Sequence, residues 1–207
     1  MKCSPSIAVS AAALVCLPAI AAAQAPPAAQ ASSGALMAPV HQVAAAIAAA
    51  PAELRDGAAV LGYHEKGKLE KLREGTNDMV CLAPDPARPD FHVACYHKAL
   101  EPFMARGRSL RAEGVKGEQV DTARFKEIKD GKLKMPSTPS ALYTLTGPAG
   151  SYDQATHKVT GAKWLYVVYI PGATTASTGL TTKAAPGVPW IMFPGTPKAH
   201  IMFFTGM

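Results

Sequence analysis

The chain has 207 residues, 48% of them hydrophobic, with 21 Lys+Arg against 15 Asp+Glu and a formal net charge of +6. That is enough chain for one domain with its own core, and a modest positive charge favours anionic surfaces. No basic stripe is interleaved with aromatic residues, which argues against nucleic acid as a partner, and no stretch reaches the roughly 20 strongly apolar residues of a membrane span.

Residues 1–23 read as a secretory signal peptide. Lys2 supplies the positive start, Ile7 to Ile20 is an apolar run, and Ala21-Ala22-Ala23 offers small residues to a signal peptidase cutting between Ala23 and Gln24. A lipoprotein is excluded because Val15, not a small residue, precedes Cys16. Cleavage removes Lys2, leaving 20 basic side chains against 15 acidic and a net charge of +5. It also discards Cys3 and Cys16, so Cys81 and Cys95 are left to form one disulfide in a bacterial periplasm or outside the cell. Residues 24–35 have prolines and no apolar period and are predicted to be a disordered linker; 36–207 form the expected domain.

From Leu36 to Ala50 an Ala-dense segment places Leu36, Val40, Val43 and Ile47 along one helical stripe. Pro51 to Arg55 reads as a second short helix closed by Asp56-Gly57. The period then changes. Val60–His64, Leu69–Arg73, Met79–Leu82 and Phe91–Tyr96 alternate with glycine- or proline-bearing turns, which predicts an antiparallel meander. Two mid-chain helices follow, Leu100–Glu113 with Pro102 in its first turn and Gly114 at its end, and Thr122–Asp130 stopped by Gly131. Leu142–Thr146 and Trp164–Ile170 read as strands, the latter apolar on both faces and so expected in a central, covered position. A long Gly/Thr/Ala/Ser loop, 171–189, precedes a closing hairpin of Trp190–Phe193 and Ala199–Phe204. The order predicts an α+β domain with a mostly antiparallel sheet, an N-terminal Ala-rich helix, two mid-chain helices and one disulfide.

Chemistry-bearing residues are sparse. A Cys81–Cys95 bond would close a loop of about 15 residues and contribute about 3 kcal/mol. The rival is a metal site with His92 and His97, but these two point to opposite faces of one strand, and there is no C-x-x-C pair for metal or redox work. His200 and Met202 alternate onto one face of the last strand, with Met192 on the strand expected beside it; one imidazole and two thioethers suit copper, against core filling as the alternative. His64, His97 and His200 are candidate general bases, with His97 and His200 the stronger catalytic candidates. Glu101 follows His97 by four residues without completing a zinc helix. No nucleophile elbow, phosphate-cradling loop or dinucleotide fingerprint is present, and no cofactor is expected. Lys126, Lys129, Lys132 and Lys134 read as a solvated helix end or, alternatively, a contact for anionic lipid or cell-wall polymer. Loops as long as 171–189 often bind ligands; Tyr169 and Trp190 bracket this one as an aromatic floor, and Arg106, Arg108 and Lys198 are candidate charged contacts.

The strings Arg73–Asn77, Phe91–His97, Tyr166–Gly172 and Pro194–His200 resemble secreted bacterial proteins of unassigned activity. The resemblance implies export and a single domain, and carries no site residues. The sequence therefore points to an exported binding or envelope-associated module for a small ligand or cell-envelope component. The alternatives are a small secreted enzyme with a histidine beside the 171–189 loop, or a periplasmic Cu/Zn-binding protein. An enzyme should cluster His97 or His200 with a carboxylate in a concave pocket, whereas a binding module should present an aromatic-floored groove without such a pair.

Overall fold

The computed structural model describes residues 36–204. The expected signal peptide at 1–23 and linker at 24–35 lie outside the described residues. In chain order the elements are α1 (Pro39–Ile47), β1 (Ala59–Glu65), β2 (Lys68–Arg73), β3 (Met79–Leu82), β4 (Phe91–His97), α2 (Glu101–Ala112) and α3 (Gln119–Lys129). They continue with β5 (Ser140–Gly147), β6 (Tyr152–Asp153), β7 (Lys158–Val159), β8 (Lys163–Tyr169), α4 (Thr175–Thr178), β9 (Trp190–Met192) and β10 (His200–Phe204). One sheet runs in the order β2-β1-β3-β4-β5-β8-β10-β9, while β6 and β7 form a separate ribbon. The fold is α+β with a mostly antiparallel sheet, as the patterning predicts. No helix among the described residues is long and apolar enough to cross a membrane.

The expected meander is corrected in one respect: β3 returns to pair with β1, in parallel, and β2 becomes the sheet edge. Composition explains the exchange. β2 carries Lys68, Glu70, Lys71 and Arg73, charges that protect an open edge, whereas Met79 and Cys81 of β3 are buried. The predicted helix at 51–55 is a single 3₁₀ turn, Ala52–Leu54, entered from Pro51.

Strand alternation divides the core into two layers. Val60, Cys81, Val93, Cys95 and Leu145 face α1, and Leu82, Tyr96, Leu142, Val167 and Tyr169 face Leu100, Phe103, Phe125 and Ile128 from α2, α3 and the turn before them. The stripe predicted on α1 is not the one it buries. Val40 is 61% exposed, while Gln42, Ala45, Ala46, Ala49 and Ala50 are fully covered. Alanines let the helix lie close over the Cys81–Cys95 bond, where larger side chains would hold it away.

Gln42 fixes that docking. Its amide N–H donates to the Tyr63 carbonyl at 2.7 Å and its carbonyl accepts from the Tyr63 N–H at 2.8 Å, completing a stretch of β1 whose register is irregular. Gly62 makes room for it, since a Cβ there would sit 2.6 Å from the Gln42 carbonyl oxygen. Gln42→Leu removes the partner of three backbone groups, the Met37 carbonyl and the Tyr63 N–H and carbonyl, and should cost about 2–3 kcal/mol, read as a lower urea midpoint at unchanged m-value. An unmoved midpoint would show that α1 docks through its alanines alone.

Candidate functional site

α1 packs mainly against β1 to β4, and its core cluster reaches β5 at Leu145. Beyond its end, the same face over β5 and β8 carries Tyr143, Trp164, Tyr166 and Val168, each only partly buried. This corrects the expectation that β8 is fully covered on both sides: Val167 and Tyr169 are buried beneath the other helices, whereas Trp164, Tyr166 and Val168 on the opposite face are only partly buried. Tyr143 and Tyr166 are direct cross-strand partners with rings 5.7 Å apart, edge to face, and Trp164 lies 5.7 Å from Tyr166. Three aromatic rings thus form one row that is partly open to solvent.

Arg55 stands at the head of this row. Its Nε donates to the Ala50 carbonyl at 2.9 Å and its Nη2 to the Ala48 carbonyl at 3.2 Å, so the guanidinium closes the end of α1. Arg55 and Trp164 are shared by two adjoining recesses. One, about 360 Å³, is also lined by Leu145, His157, Lys158, Val159 and Thr160. The other, about 200 Å³, adds Ala50, Pro51, Tyr143 and Tyr166. No carboxylate lines either recess. Among the described residues neither Arg55 nor Lys158 has an ion-pair partner.

The β6–β7 ribbon positions the groove's far wall. Asp153 accepts from the Ala155 and Thr156 N–H groups and shapes the turn, and His157 adopts a left-handed φ of 55°. His157 stacks on Tyr152, which stacks on Phe91, and meets His41 of α1 edge-on at 5.4 Å. That stack holds the ribbon against α1, with Lys158 at the groove.

The residues singled out from the sequence are placed elsewhere. His97 has its Nε2 3.7 Å from Asp78, but both side chains are about half exposed, and the His97 Nδ1 accepts from the Ala99 N–H as a cap for the turn before α2. The Asp78 carboxyl is held below its usual range first by a hydrogen bond from Lys98. His200 is buried against Tyr169 and Phe193, with ring centroids at 5.0 and 5.7 Å, and burial pushes its pKa down. Tyr169 and Trp190 are 7% and 5% exposed, so they are core residues, not an open floor; burial pushes the Tyr169 hydroxyl up to about 12.

The three candidate cations do not converge. Arg106 grips Glu127 with bonds of 2.8–2.9 Å and also reaches Glu113. Arg108 binds Glu101 at 2.6 Å and donates to the Tyr96 hydroxyl. Lys198 pairs with Asp121 at 2.8 Å. Lys126 of the basic run pairs with Asp130, and the nearby recess mixes Arg106, Lys126 and Lys132 with Glu127 and Asp130. The 171–189 segment is locally ordered: α4 has a Thr174–Ser177 capping box, and Gly195 and Gly172 N–H groups tie the segment's start to the turn before β10. Cys81 and Cys95 are bonded, directly opposite each other on β3 and β4.

Sequence reasoning missed Arg55, Tyr143, Trp164 and Tyr166. The alternation Trp164-x-Tyr166-x-Val168 was a signal for a shared face, but nothing local shows which face a distant helix leaves bare. No protein-family model, curated protein or solved structure matches this chain, so the reading of the groove rests on its own residues.

Proposed function

We propose that this chain is an exported ligand-binding module, and that the groove between Arg55 and Trp164 holds an anionic saccharide of the cell envelope. The observation that carries the reading is a row of partly exposed aromatic rings beside two cations that have no ion-pair partner among the described residues and no carboxylate in the recess. An aromatic ring accepts the apolar face of a sugar, and a guanidinium pairs with carboxylate or phosphate oxygens. Hydrolysis of a saccharide would ordinarily need two carboxylates at the site, and none lines this groove, which favours binding over turnover. The buried Cys81–Cys95 bond supports an oxidising compartment, as export requires.

Thermal-shift and calorimetric titration with a uronate oligosaccharide and its neutral counterpart test the proposal. The anionic sugar should raise the melting temperature, and at a hundred times its Kd should add about 2.7 kcal/mol. Trp164→Ala should weaken binding by about 2 kcal/mol, near thirtyfold, and Lys158→Gln by a smaller, salt-dependent factor. Equal response to the neutral sugar, or full affinity in Trp164→Ala, would overturn the reading. Mass spectrometry of the natural protein tests export: a chain starting at Gln24 supports it, and an intact Met1 rejects it.

A further inference from the structure

The geometry points to a Cu(I) site on the opposite face of the sheet, formed by His200, Met192 and Met202. His200 of β10 is the direct cross-strand partner of Met192 of β9, and Met202 lies two residues along on the same face, opposite Trp190. Directly opposed residues hold their Cβ atoms about 4.5–5.5 Å apart, and residues two apart on a strand are separated by about 6.6 Å. A thioether on an unbranched, three-torsion side chain spans such gaps. The register thus places one imidazole and two thioethers at neighbouring positions of one face, with Met202 also packing against the core beside Val167 and Tyr169, and the proposed ion would draw these three together.

The imidazole is oriented as a ligand should be. His200 Nδ1 lies 2.7 Å from the Lys198 carbonyl, which can only accept, so Nδ1 carries the proton and Nε2 keeps its lone pair. Metal-binding histidines are commonly set in this way by a backbone carbonyl. Nε2 has no hydrogen-bond partner among the described residues. β9 is the sheet edge, with Met192 only partly buried and the adjoining Phe193 40% exposed, so the face can be reached from solvent.

The donor set selects the ion. It is neutral and soft, which suits monovalent copper over zinc, calcium or magnesium. Among the described residues no group of three or more His, Cys, Asp or Glu offers a competing hard site. Tyr169 and Phe193 flank the imidazole and Trp190 is the cross-strand partner of Met202, so aromatic rings border the three donors. Lys198 sits 4.2 Å over the Phe193 ring and is turned toward Asp121, with which it pairs at 2.8 Å.

An anaerobic competition titration of the mature chain against a Cu(I)-chelating dye provides the test. One equivalent should be withdrawn per chain, and X-ray absorption on that complex should show two sulfur neighbours and one nitrogen neighbour. Met192→Leu and Met202→Leu preserve side-chain volume and should each lower Cu(I) affinity at least tenfold, while Met79→Leu, buried on the far face, should leave it unchanged. Trp164→Ala should also bind Cu(I) normally, which separates this site from the saccharide groove. No Cu(I) uptake, an all-nitrogen-and-oxygen coordination shell, or full affinity in both methionine variants would overturn the site.

Discussion

Replacing Cys81 and Cys95 together by alanine is expected to lower stability by about 3 kcal/mol, the loss predicted for opening a loop of about 15 residues in the unfolded chain. For a domain of this size that corresponds to a fall in melting temperature of about 6–12 °C. The two residues are separated by 14 positions and both are fully buried. They are paired across β3 and β4 beneath Ala45 and Ala46, so the native state keeps its packing apart from the two lost sulfurs. Melting with a phosphine reductant should approach the double variant only after long incubation, because reductant reaches a buried bond only when β3 and β4 open. A double variant that melts with the parent would show that strand pairing alone sets the stability of this layer.

Asp121→Asn is expected to cost about 3 kcal/mol at neutral pH, because it leaves a buried guanidinium without its counter-charge. Arg124 is only 4% exposed. It bonds Asp121 through Nη2 and the Phe103 carbonyl through Nη1 at 3.1 Å, with its guanidinium 3.7 Å over the Phe103 ring. Asp121 takes Lys198 on its other oxygen, joining α3 to the turn before β10. Burial alone would raise the Asp121 carboxyl, but hydrogen bonds from Lys198 and Arg124 outweigh it and hold the group below its usual range. A depressed folded-state pKa means that this stability is complete above the unfolded value of about 3.9 and is lost as pH falls through the folded value. Urea denaturation between pH 3 and 7 should therefore show a shallower acid limb in the variant than in the parent. A loss that is the same at pH 3 and pH 7 would assign the effect to packing instead of charge.

Much of the secondary structure is legible because its signals are local. Gly67, Gly114 and Gly131 adopt left-handed φ values of 83°, 89° and 71° where turns and helix ends were expected, and Pro102 opens α2. Two-residue alternation in β9 and β10 sufficed to place His200, Met202 and Met192 on one face. The buried role of Arg124 was not legible, because a lone arginine on a helix gives no sign that Asp121, Lys198 and the Phe103 ring will enclose it.

Local chemistry, then, settled the class of fold, most strand and helix positions, and the pairing of Cys81 with Cys95, since each depends on residues a few positions apart or on a strand's two-residue repeat. Long-range packing decided the parallel return of β3 to β1, the placement of α1 by Gln42 and alanines over β1 to β4, and the partly exposed aromatic row at Tyr143, Trp164 and Tyr166. Whether an apolar strand face is covered depends on where a helix about a hundred residues away comes to rest. That position is the outcome of competition among all the apolar faces at once, and no single segment encodes it.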